Sequence, residues 1–319
     1  MGKIEKRLGF SARRGSAVTL GEVIWFKSGI FAYCLKRLRL LGQFYLKTHK
    51  GDVVMTLLLS CVLYTLQDRS PSENKYIPIF ITWLAHVFKY ADLASGDALR
   101  LTIDADTHEQ LKKTPFYTNV MSALNCEKQL LIIERPKTHA EGMMSRFIEK
   151  EYTQTTYMYC DIDILIKKPL RELTSLVSQN TIAVHVEGTM ADSNHNMLFP
   201  KEWVLENGAQ HVGFSSGKFI INGHELYRDL FRLAGHIYKQ HPIDDFYAPD
   251  QCVYNYAVYM LPRETYTLDM TTIRPPSICI NGHNETEKVI LLDLMGEPGN
   301  GTLHFDKIFG TLIEYFLTH

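Results

Sequence analysis

The sequence lacks the signatures of several common protein classes. Its six cysteines form no Cys-x-x-Cys pair and no short Cys/His spacing, which argues against structural zinc. It contains no glycine-rich phosphate loop of the GxxxxGK[S/T] or GxGxxG type. Its net charge is only −1 at pH 7, so bulk electrostatics predict no nucleic-acid partner. We therefore expect one local site to select the partners of this protein.

Long apolar runs are also missing. The longest, residues 53–66, is short of a membrane-spanning helix and predicts a buried strand that leads into a loop or helix. The first residues, MGKIEKRLGFSARRGS, contain no uninterrupted apolar core of the kind that a signal peptide needs. The cysteines stand mostly in apolar settings, which favours reduced core thiols over a disulfide framework. These features predict a cytoplasmic protein.

The chain does contain enough apolar side chains for a full core, at 45% of 319 residues. Residues 1–50 are rich in basic side chains, and residues 29–46 place apolar side chains at roughly helical spacing. We predict a basic N-terminal helical extension over residues 1–50. Its helix has two possible roles: packing on the main domain, or peripheral contact with a membrane surface.

From residue 51 the pattern changes to alternating strands and helices, which is typical of a mostly parallel sheet covered by helices. The predicted strands are residues 53–60, 99–103, 129–133, 157–166, 181–186 and 218–222. A capping-box pattern at residues 70–73 begins one predicted helix, and residues 142–150 form another. We predict an α/β domain over residues 51–319, with a mixed, mostly parallel, Rossmann-like sheet and helices on both faces.

Two carboxylates, Asp161 and Asp163, interrupt the fourth predicted strand, YMYCDIDILI. Burying them is costly unless a positive group meets them. On an extended segment both side chains leave the same face and can converge on one Mg²⁺ or Mn²⁺ ion. Alternatively, the pair lies at the exposed strand end and caps the following turn. A second Asp-x-Asp, at Asp104 and Asp106, is predicted to be a helix N-cap with a first-turn charge.

The strand with these carboxylates resembles the Asp-x-Asp strand of nucleotide-sugar glycosyltransferases with the GT-A fold, most like family 8. Four further motifs stand around it in the order of that family. They are MSRF with Arg146, GFSSGKFIIN with Ser216 and Gly217, PDQCVYN with Asp250, Gln251 and Asn255, and LHFDK with His304 and Lys307. Ser215 replaces the usual Asn of the second motif, and the spacing of the last motif is altered. The resemblance covers about residues 53–310.

This resemblance implies a metal-dependent enzyme that moves a sugar from a nucleotide-diphosphate sugar, expected to be a UDP-sugar, to a hydroxyl acceptor. The acceptor would be a glycan, a protein or a lipid-linked group. Asp161, Asp163 and His304 would hold Mn²⁺ or Mg²⁺ against the diphosphate. The donor half of the domain would run from about residue 51 to 165, and the acceptor half from about 166 to 319.

The resemblance also assigns donor contacts. Arg146 and Lys307 would hold diphosphate oxygens and the donor sugar, with Asp161 beside them. Ser216 and Gly217 would let the backbone approach the sugar, or would form a tight turn before a buried strand.

Asp250 and Gln251 would line the acceptor side, where the new bond forms. If transfer retains the anomeric configuration, as in family 8, Gln251 would face the reacting carbon. If transfer inverts it, Asp250, Asp245 or Asp244 would act as the general base. Two other classes stay open: another metal-dependent phosphoryl or nucleotidyl transferase, and a non-catalytic nucleotide-sugar or glycan binding protein with a degenerate transferase fold.

Overall fold

The computed structural model describes residues 55–243, 246, 248–261, 265–267, 273–274 and 290–293. Several sequence predictions fall outside these ranges and stay predictions. They are the extension at residues 1–50, the boundary at residue 51, the candidate bases Asp244 and Asp245, and the C-terminal candidates His304 and Lys307.

The regular elements of the described ranges alternate between strands and helices. The strands are β1 (Leu57–Leu63), β2 (Ala98–Asp104), β3 (Glu127–Ile133), β4 (Thr156–Cys160), β5 (Ile164–Ile166), β6 (Thr181–Thr189), β7 (Val212–Asn222), β8 (Thr265–Thr267), β9 (Ile273–Arg274) and β10 (Leu291–Asp293). The α-helices are α1 (Tyr76–Tyr90), α2 (Ala105–Lys112), α3 (Pro115–Ala123), α4 (His139–Met144), α5 (Arg171–Thr174), α6 (Ser193–Asn196), α7 (Lys201–Asn207), α8 (His224–Gln240) and α9 (Pro249–Met260). Single 3₁₀ turns lie at Pro71–Glu73, Ser145–Phe147 and Gly208–Gln210.

Seven strands form the main sheet in the order β3-β2-β1-β4-β7-β6-β8. Four of its pairings are parallel, and only β7 runs antiparallel to its neighbours β4 and β6. After β1 the chain forms β2 and β3 on one side and then β4 on the other, so the strand order reverses between β1 and β4. Open α/β sheets bind ligands in the crevice beyond the carboxyl ends of the strands at such a switch point. A smaller sheet, β5-β10-β9, extends from the end of β4.

Two apolar cores cover the two faces of the main sheet. In β1, Leu57, Leu59, Cys61 and Leu63 pack into one core, and Leu58 packs into the other. This alternation is the period of two that a strand imposes on its side chains. Helix α1 packs on the first face, and α8 and α9 pack on the second. The predicted class is therefore confirmed: a mixed, mostly parallel, Rossmann-like α/β sheet with helices on both faces.

Several local predictions are also confirmed. Residues 53–66 contain the buried strand β1, and the side chain of Asp104 caps α2 by accepting a hydrogen bond from the backbone N–H of Thr107 at 2.9 Å. Cys61, Cys126, Cys160 and Cys252 are free and buried.

Among the described residues, no helix combines the length and the apolar character needed to cross a membrane.

Other local predictions are wrong. Ser70 makes no side-chain cap, because its hydroxyl lies 2.7 Å from that of Ser72 and the chain forms only a 3₁₀ turn there. The helix predicted over residues 142–150 is not continuous. Helix α4 ends at Met144, and a 3₁₀ turn over Ser145–Phe147 follows it. The strand predicted over residues 157–166 is broken into β4 and β5, and the break contains both aspartates of the Asp-x-Asp motif.

Candidate active site

The Asp-x-Asp motif forms a turn at the carboxyl end of β4, not the interior of a strand. The backbone N–H of Ile164 donates to the carbonyl oxygen of Asp161 at 3.1 Å, which closes the turn. The backbone N–H of Asp161 donates to the carbonyl oxygen of Gly217 on the adjacent strand β7 at 2.8 Å. The prediction that Asp161 and Asp163 leave one face of a continuous strand is therefore wrong. The turn instead places the motif at the switch point of the sheet.

The positive group that meets Asp161 in the described structure is Arg146. Its Nη2 lies 3.3 Å from Oδ1 of Asp161, and its guanidinium lies 4.8 Å from the ring centre of Tyr159. The Tyr159 hydroxyl also donates to Oδ1 of Asp161 at 2.6 Å. Only 6% of the Arg146 side chain is exposed, whereas 30% of the Asp161 side chain is, so solvent reaches this contact from the carboxylate side.

Arg146 also joins this carboxylate to Asp250, in the first turn of α9. Its Nη1 lies 3.0 Å from Oδ2 of Asp250, and the Ser216 hydroxyl donates to the same oxygen at 2.5 Å. Among the described residues, no donor reaches the other oxygen of Asp250, Oδ1, although that atom is buried. A buried carboxylate oxygen without a donor is costly, so this atom is a candidate contact for a ligand hydroxyl.

Ser216 and Gly217 lie inside β7, so the tight turn considered for them is wrong. A β-carbon on Gly217 would lie 2.6 Å from Oδ2 of Asp161. Glycine is therefore required here because the Asp161 carboxylate fills the space of a side chain. The carbonyl oxygen of Ser216 accepts a hydrogen bond from Nη1 of Arg146 at 3.0 Å. The structure thus brings together Arg146, Asp161, Ser216, Gly217 and Asp250.

The carboxylates of this site are short of positive charge. Burial raises the pKa of Asp161, although the Arg146 guanidinium and the hydrogen bond from Tyr159 act in the opposite direction. Burial, with the nearby carboxylates of Asp161 and Asp293, raises the pKa of Asp163 to about 8. A cation bound at this cluster would take the place of the proton that the cluster retains near neutral pH, and would stabilise the ionised carboxylates.

Lys218 and Asp293 belong to the same cluster, and the sequence analysis missed both. Only 2% of the Lys218 side chain is exposed, and its ammonium group pairs with Oδ2 of Asp293. The pairing of β10 with β5 sets Asp293 opposite Ile164, next to Asp163. One signal was available for Lys218, because a charged residue inside the apolar strand GKFII needs a buried partner. No local signal marks Asp293.

Gln251 is held on another side of the site by His195, on α6. Its amide nitrogen Nε2 lies 3.3 Å from Nδ1 of His195. Asn255, one turn further along α9, lies 3.4 Å from the same imidazole nitrogen through its Nδ2 atom. The sequence analysis missed His195, because its segment ADSNHNM carries no recognisable pattern.

The carboxylate oxygens fit a hard divalent cation such as Mg²⁺ or Mn²⁺. Asp161 and Asp163 stand two residues apart, and burial and the charge of Asp161 both raise the pKa of Asp163, effects that a bound cation would oppose. Within the described ranges, no three histidine, cysteine or acidic side chains are grouped so as to hold a metal ion. A metal ion at Asp161 and Asp163 would therefore need a further ligand from elsewhere, and the predicted one, His304, lies outside these ranges.

Comparisons with known proteins were made by sequence and by structure. No family profile matches the sequence, and no curated protein matches it. Structural comparison aligns 78% of this chain with 98% of mouse xyloside xylosyltransferase 1 in its apo form, at 14% identity and a TM-score of 0.45. It aligns 81% of the chain with 96% of the galactosyltransferase LgtC in complex with donor and acceptor sugar analogues, at 11% identity and a TM-score of 0.48.

A third aligned structure is the apo form of the glycosyltransferase GlyE of Streptococcus pneumoniae TIGR4. It matches over 83% of this chain and 63% of its own, at 13% identity and a TM-score of 0.45. We infer the function of this protein from the residues of its own site.

Proposed function

We propose that this protein is a glycosyltransferase that moves a sugar from a nucleoside-diphosphate sugar to a hydroxyl acceptor on a glycan, a protein or a lipid-linked group. The observation that carries the proposal is the buried bridge from Asp161 through Arg146 to Asp250. It leaves Oδ1 of Asp250 without a donor at the switch point of the sheet.

A sugar suits this bridge because its hydroxyl groups both donate and accept hydrogen bonds. A hydroxyl that donates to Oδ1 of Asp250 would satisfy a buried carboxylate oxygen that no donor among the described residues reaches. Arg146 and Ser216 hold the other oxygen, Oδ2, so the carboxylate is fixed before a ligand binds. Such preorganised polar groups give sugar sites their selectivity.

The diphosphate of the donor needs positive charge. We propose that Asp161, Asp163 and His304 hold Mn²⁺ or Mg²⁺, with Lys307 near the phosphate oxygens. Bound there, the ion would neutralise the negative charge that grows on the leaving diphosphate. The raised pKa of Asp163 supports this assignment, because burial and the nearby carboxylates of Asp161 and Asp293 disfavour its ionised form, which a bound cation would stabilise.

We propose a retaining transfer, with Gln251 facing the reacting carbon of a UDP-sugar. The sugar, whether hexose or pentose, is left to experiment. A cytoplasmic location remains part of the proposal, and so do the two possible roles of residues 1–50, packing on the main domain or peripheral contact with a membrane.

A binding panel tests the proposed function. We expect one nucleotide sugar, at about 100 times its Kd, to raise the melting temperature by about 5 °C in the presence of Mn²⁺. Asp250→Asn should abolish that shift, because its amide removes the charge that Arg146 and the sugar hydroxyl share. Asp106→Asn, at an exposed carboxylate, is the control and should behave as wild type.

The panel separates the competing classes. A donor that shifts the melting temperature and is also hydrolysed or transferred supports a glycosyltransferase. Binding without release of sugar in any acceptor mixture indicates the non-catalytic binding protein. The proposal is wrong if no nucleotide sugar shifts the melting temperature, with or without Mn²⁺.

A further inference from the structure

His195 is a buried imidazole whose two ring nitrogens both have partners. Only 2% of the residue is exposed. Its Nε2 lies 2.6 Å from the carbonyl oxygen of Glu187, at the end of β6. Its Nδ1 faces the side-chain amides of Gln251 and Asn255, at 3.3 and 3.4 Å.

These contacts fix the tautomer of the ring. A carbonyl oxygen only accepts hydrogen bonds, so Nε2 of His195 must carry the proton that is donated to Glu187. In the neutral ring Nδ1 is then an acceptor. Any side-chain atom that pairs with Nδ1 must therefore be a donor, which for an amide means its NH₂ group and not its oxygen.

The orientation of Asn255 is fixed independently and agrees with this assignment. Its Oδ1 accepts a hydrogen bond from the backbone N–H of Phe214 at 2.8 Å. Its Nδ2 donates to the carbonyl oxygens of Phe214 and Gln251, both at 2.8 Å. Both N–H bonds of Asn255 are used by these two carbonyls, so its Nδ2, 3.4 Å from Nδ1 of His195, offers no acceptor to an N–H at Nδ1 and agrees with a ring that carries its proton on Nε2.

The ring also has little room to turn. A β-carbon on Gly213 would lie 2.3 Å from Cδ2 of His195, so β7 approaches the ring as closely as glycine permits. On the neighbouring strand, a β-carbon on Gly188 would make only an ordinary contact with its Nε2, at 3.6 Å. Gly213 thus leaves the space that the imidazole fills.

We propose that His195 is a positioning residue that sets the orientation of the Gln251 amide. By accepting from its NH₂ group, His195 leaves the amide oxygen of Gln251 as the atom available to the donor sugar. An oxygen in that position would stabilise positive charge at the reacting carbon, whereas an NH₂ group would oppose it. This inference rests on the proposed function, because it assigns Gln251 to the reacting side of the site.

Two substitutions separate the roles of the two ring nitrogens. In His195→Asn, the side-chain oxygen Oδ1 stands near the position of Nδ1 and can still accept from Gln251. In His195→Gln, the amide nitrogen stands near the position of Nε2 and can still donate to Glu187, but the acceptor for Gln251 is lost. A purely structural His195 would be replaced best by Gln, and a positioning His195 would be replaced best by Asn.

We expect His195→Gln to lower the kcat for donor hydrolysis by about 10–100-fold, with the Kd for the donor changed by less than about threefold. His195→Asn should retain most of the kcat while melting at a lower temperature than His195→Gln. In a Gln251→Ala background, exchanging Gln for Asn at position 195 should no longer change the residual rate. The inference is overturned if the two variants have equal kcat, or if their difference persists in that background.

A spectroscopic measurement on the wild-type protein needs no substrate. In ¹⁵N-labelled protein, the two ring nitrogens of His195 should show the shifts of the Nε2–H tautomer, and His195→Asn identifies the signal by its loss. An Nδ1–H tautomer overturns the inference, even if the enzyme is active. If no nucleotide sugar is bound or hydrolysed, the proposed function fails. The tautomer of His195 can still be measured in that case, and it then tests the inferred orientation of the Gln251 amide by itself.

Discussion

Nη1 of Arg146 lies 3.0 Å from Oδ2 of Asp250, and both side chains are almost fully buried, at 6% and 3% exposure. This ion pair joins the 3₁₀ turn after α4 to the first turn of α9, two segments that lie far apart in the sequence. Because the same guanidinium also pairs with Asp161, one arginine holds the candidate sugar site and the Asp-x-Asp turn together.

Replacing Arg146 with Met should destabilise the protein strongly. The change leaves the carboxylates of Asp161 and Asp250 without their cation, and breaking a buried pair in this way costs about 3–5 kcal/mol. Urea unfolding at pH 7 measures the loss. The matched control is Arg232→Met, whose ion pair with Glu149 is on the surface, and it should change stability little. Equal effects of the two substitutions would show that the buried bridge is not what holds the site.

Gly217→Ala should damage the site by adding an atom, whereas Arg146→Met removes a charged group. The new β-carbon would lie 2.6 Å from Oδ2 of Asp161, which forces the carboxylate or β7 to move. We expect a loss of about 1–3 kcal/mol and the loss of donor binding, measured by unfolding and calorimetry. Gly235→Ala is the control, because no atom lies within 4 Å of its added carbon and it lies within α8. That control should gain about 0.5–1 kcal/mol.

The raised pKa of Asp163 predicts a pH dependence of stability. Its folded value, about 8, is above the unfolded value of about 3.9, so the native state binds more protons between them. The contribution of Asp163 to stability is therefore full below about pH 4 and is lost as the pH rises towards 8. Asp163→Asn removes this loss, so the variant should gain stability relative to wild type as the pH rises.

The comparison with Asp163→Asn must be made at each pH. Burial lowers the pKa of His86 to about 4 and that of His185 to about 3, and both histidines add the opposite slope below about pH 6.5. Urea unfolding of both proteins at about pH 5, 6.5 and 8 gives their difference in free energy of unfolding, in which the contributions of the two histidines cancel. A difference that stays constant across this range would contradict the raised pKa. Saturating Mn²⁺ should reduce the difference by stabilising the ionised carboxylate.

Lys218 and Asp293 should show strong coupling in a double-mutant cycle. Lys218→Met leaves Asp293 near the carboxylate of Asp163, and Asp293→Asn leaves a buried ammonium with less compensation, so each single change should cost about 3 kcal/mol or more. The double variant should lose less than the sum of the two, by about 1–3 kcal/mol. Additive losses in the free energy of unfolding would rule out a direct contribution of the pair.

The metal assignment predicts a defect in His304→Ala. Loss of a ligand should weaken Mn²⁺ binding in the presence of nucleotide by about tenfold or more, and higher Mn²⁺ should partly restore donor turnover. Asp306→Ala is the comparison, because Asp306 stands two residues from His304 in LHFDK. If His304→Ala binds Mn²⁺ as wild type does while Asp306→Ala does not, the third ligand is Asp306.

The sequence determined those features that depend on short-range patterns. Apolar side chains at every second residue or at helical spacing predicted the α/β class and most strands of the sheet, because an element that buries one face needs such a spacing. Asp104 was predicted to be a cap because a carboxylate before a polar helix satisfies free N–H groups in any fold. The motifs named Arg146, Asp161, Ser216, Gly217 and Asp250, which the structure brings together, but not their contacts.

Tertiary structure decided those contacts. The pairing of β4 with β7 sets Cys160 opposite Lys218, which brings Gly217 to Asp161 and leaves room for its carboxylate. The 3₁₀ turn after α4 places Arg146 between Asp161 and Asp250, whereas the sequence suggested only a metal ion as the positive partner. His195 reaches Gln251, and Asp293 reaches Lys218, through packing of segments that are distant in the chain. Strand register is set by the packing of the whole core, so no local pattern in the sequence specifies which charges meet.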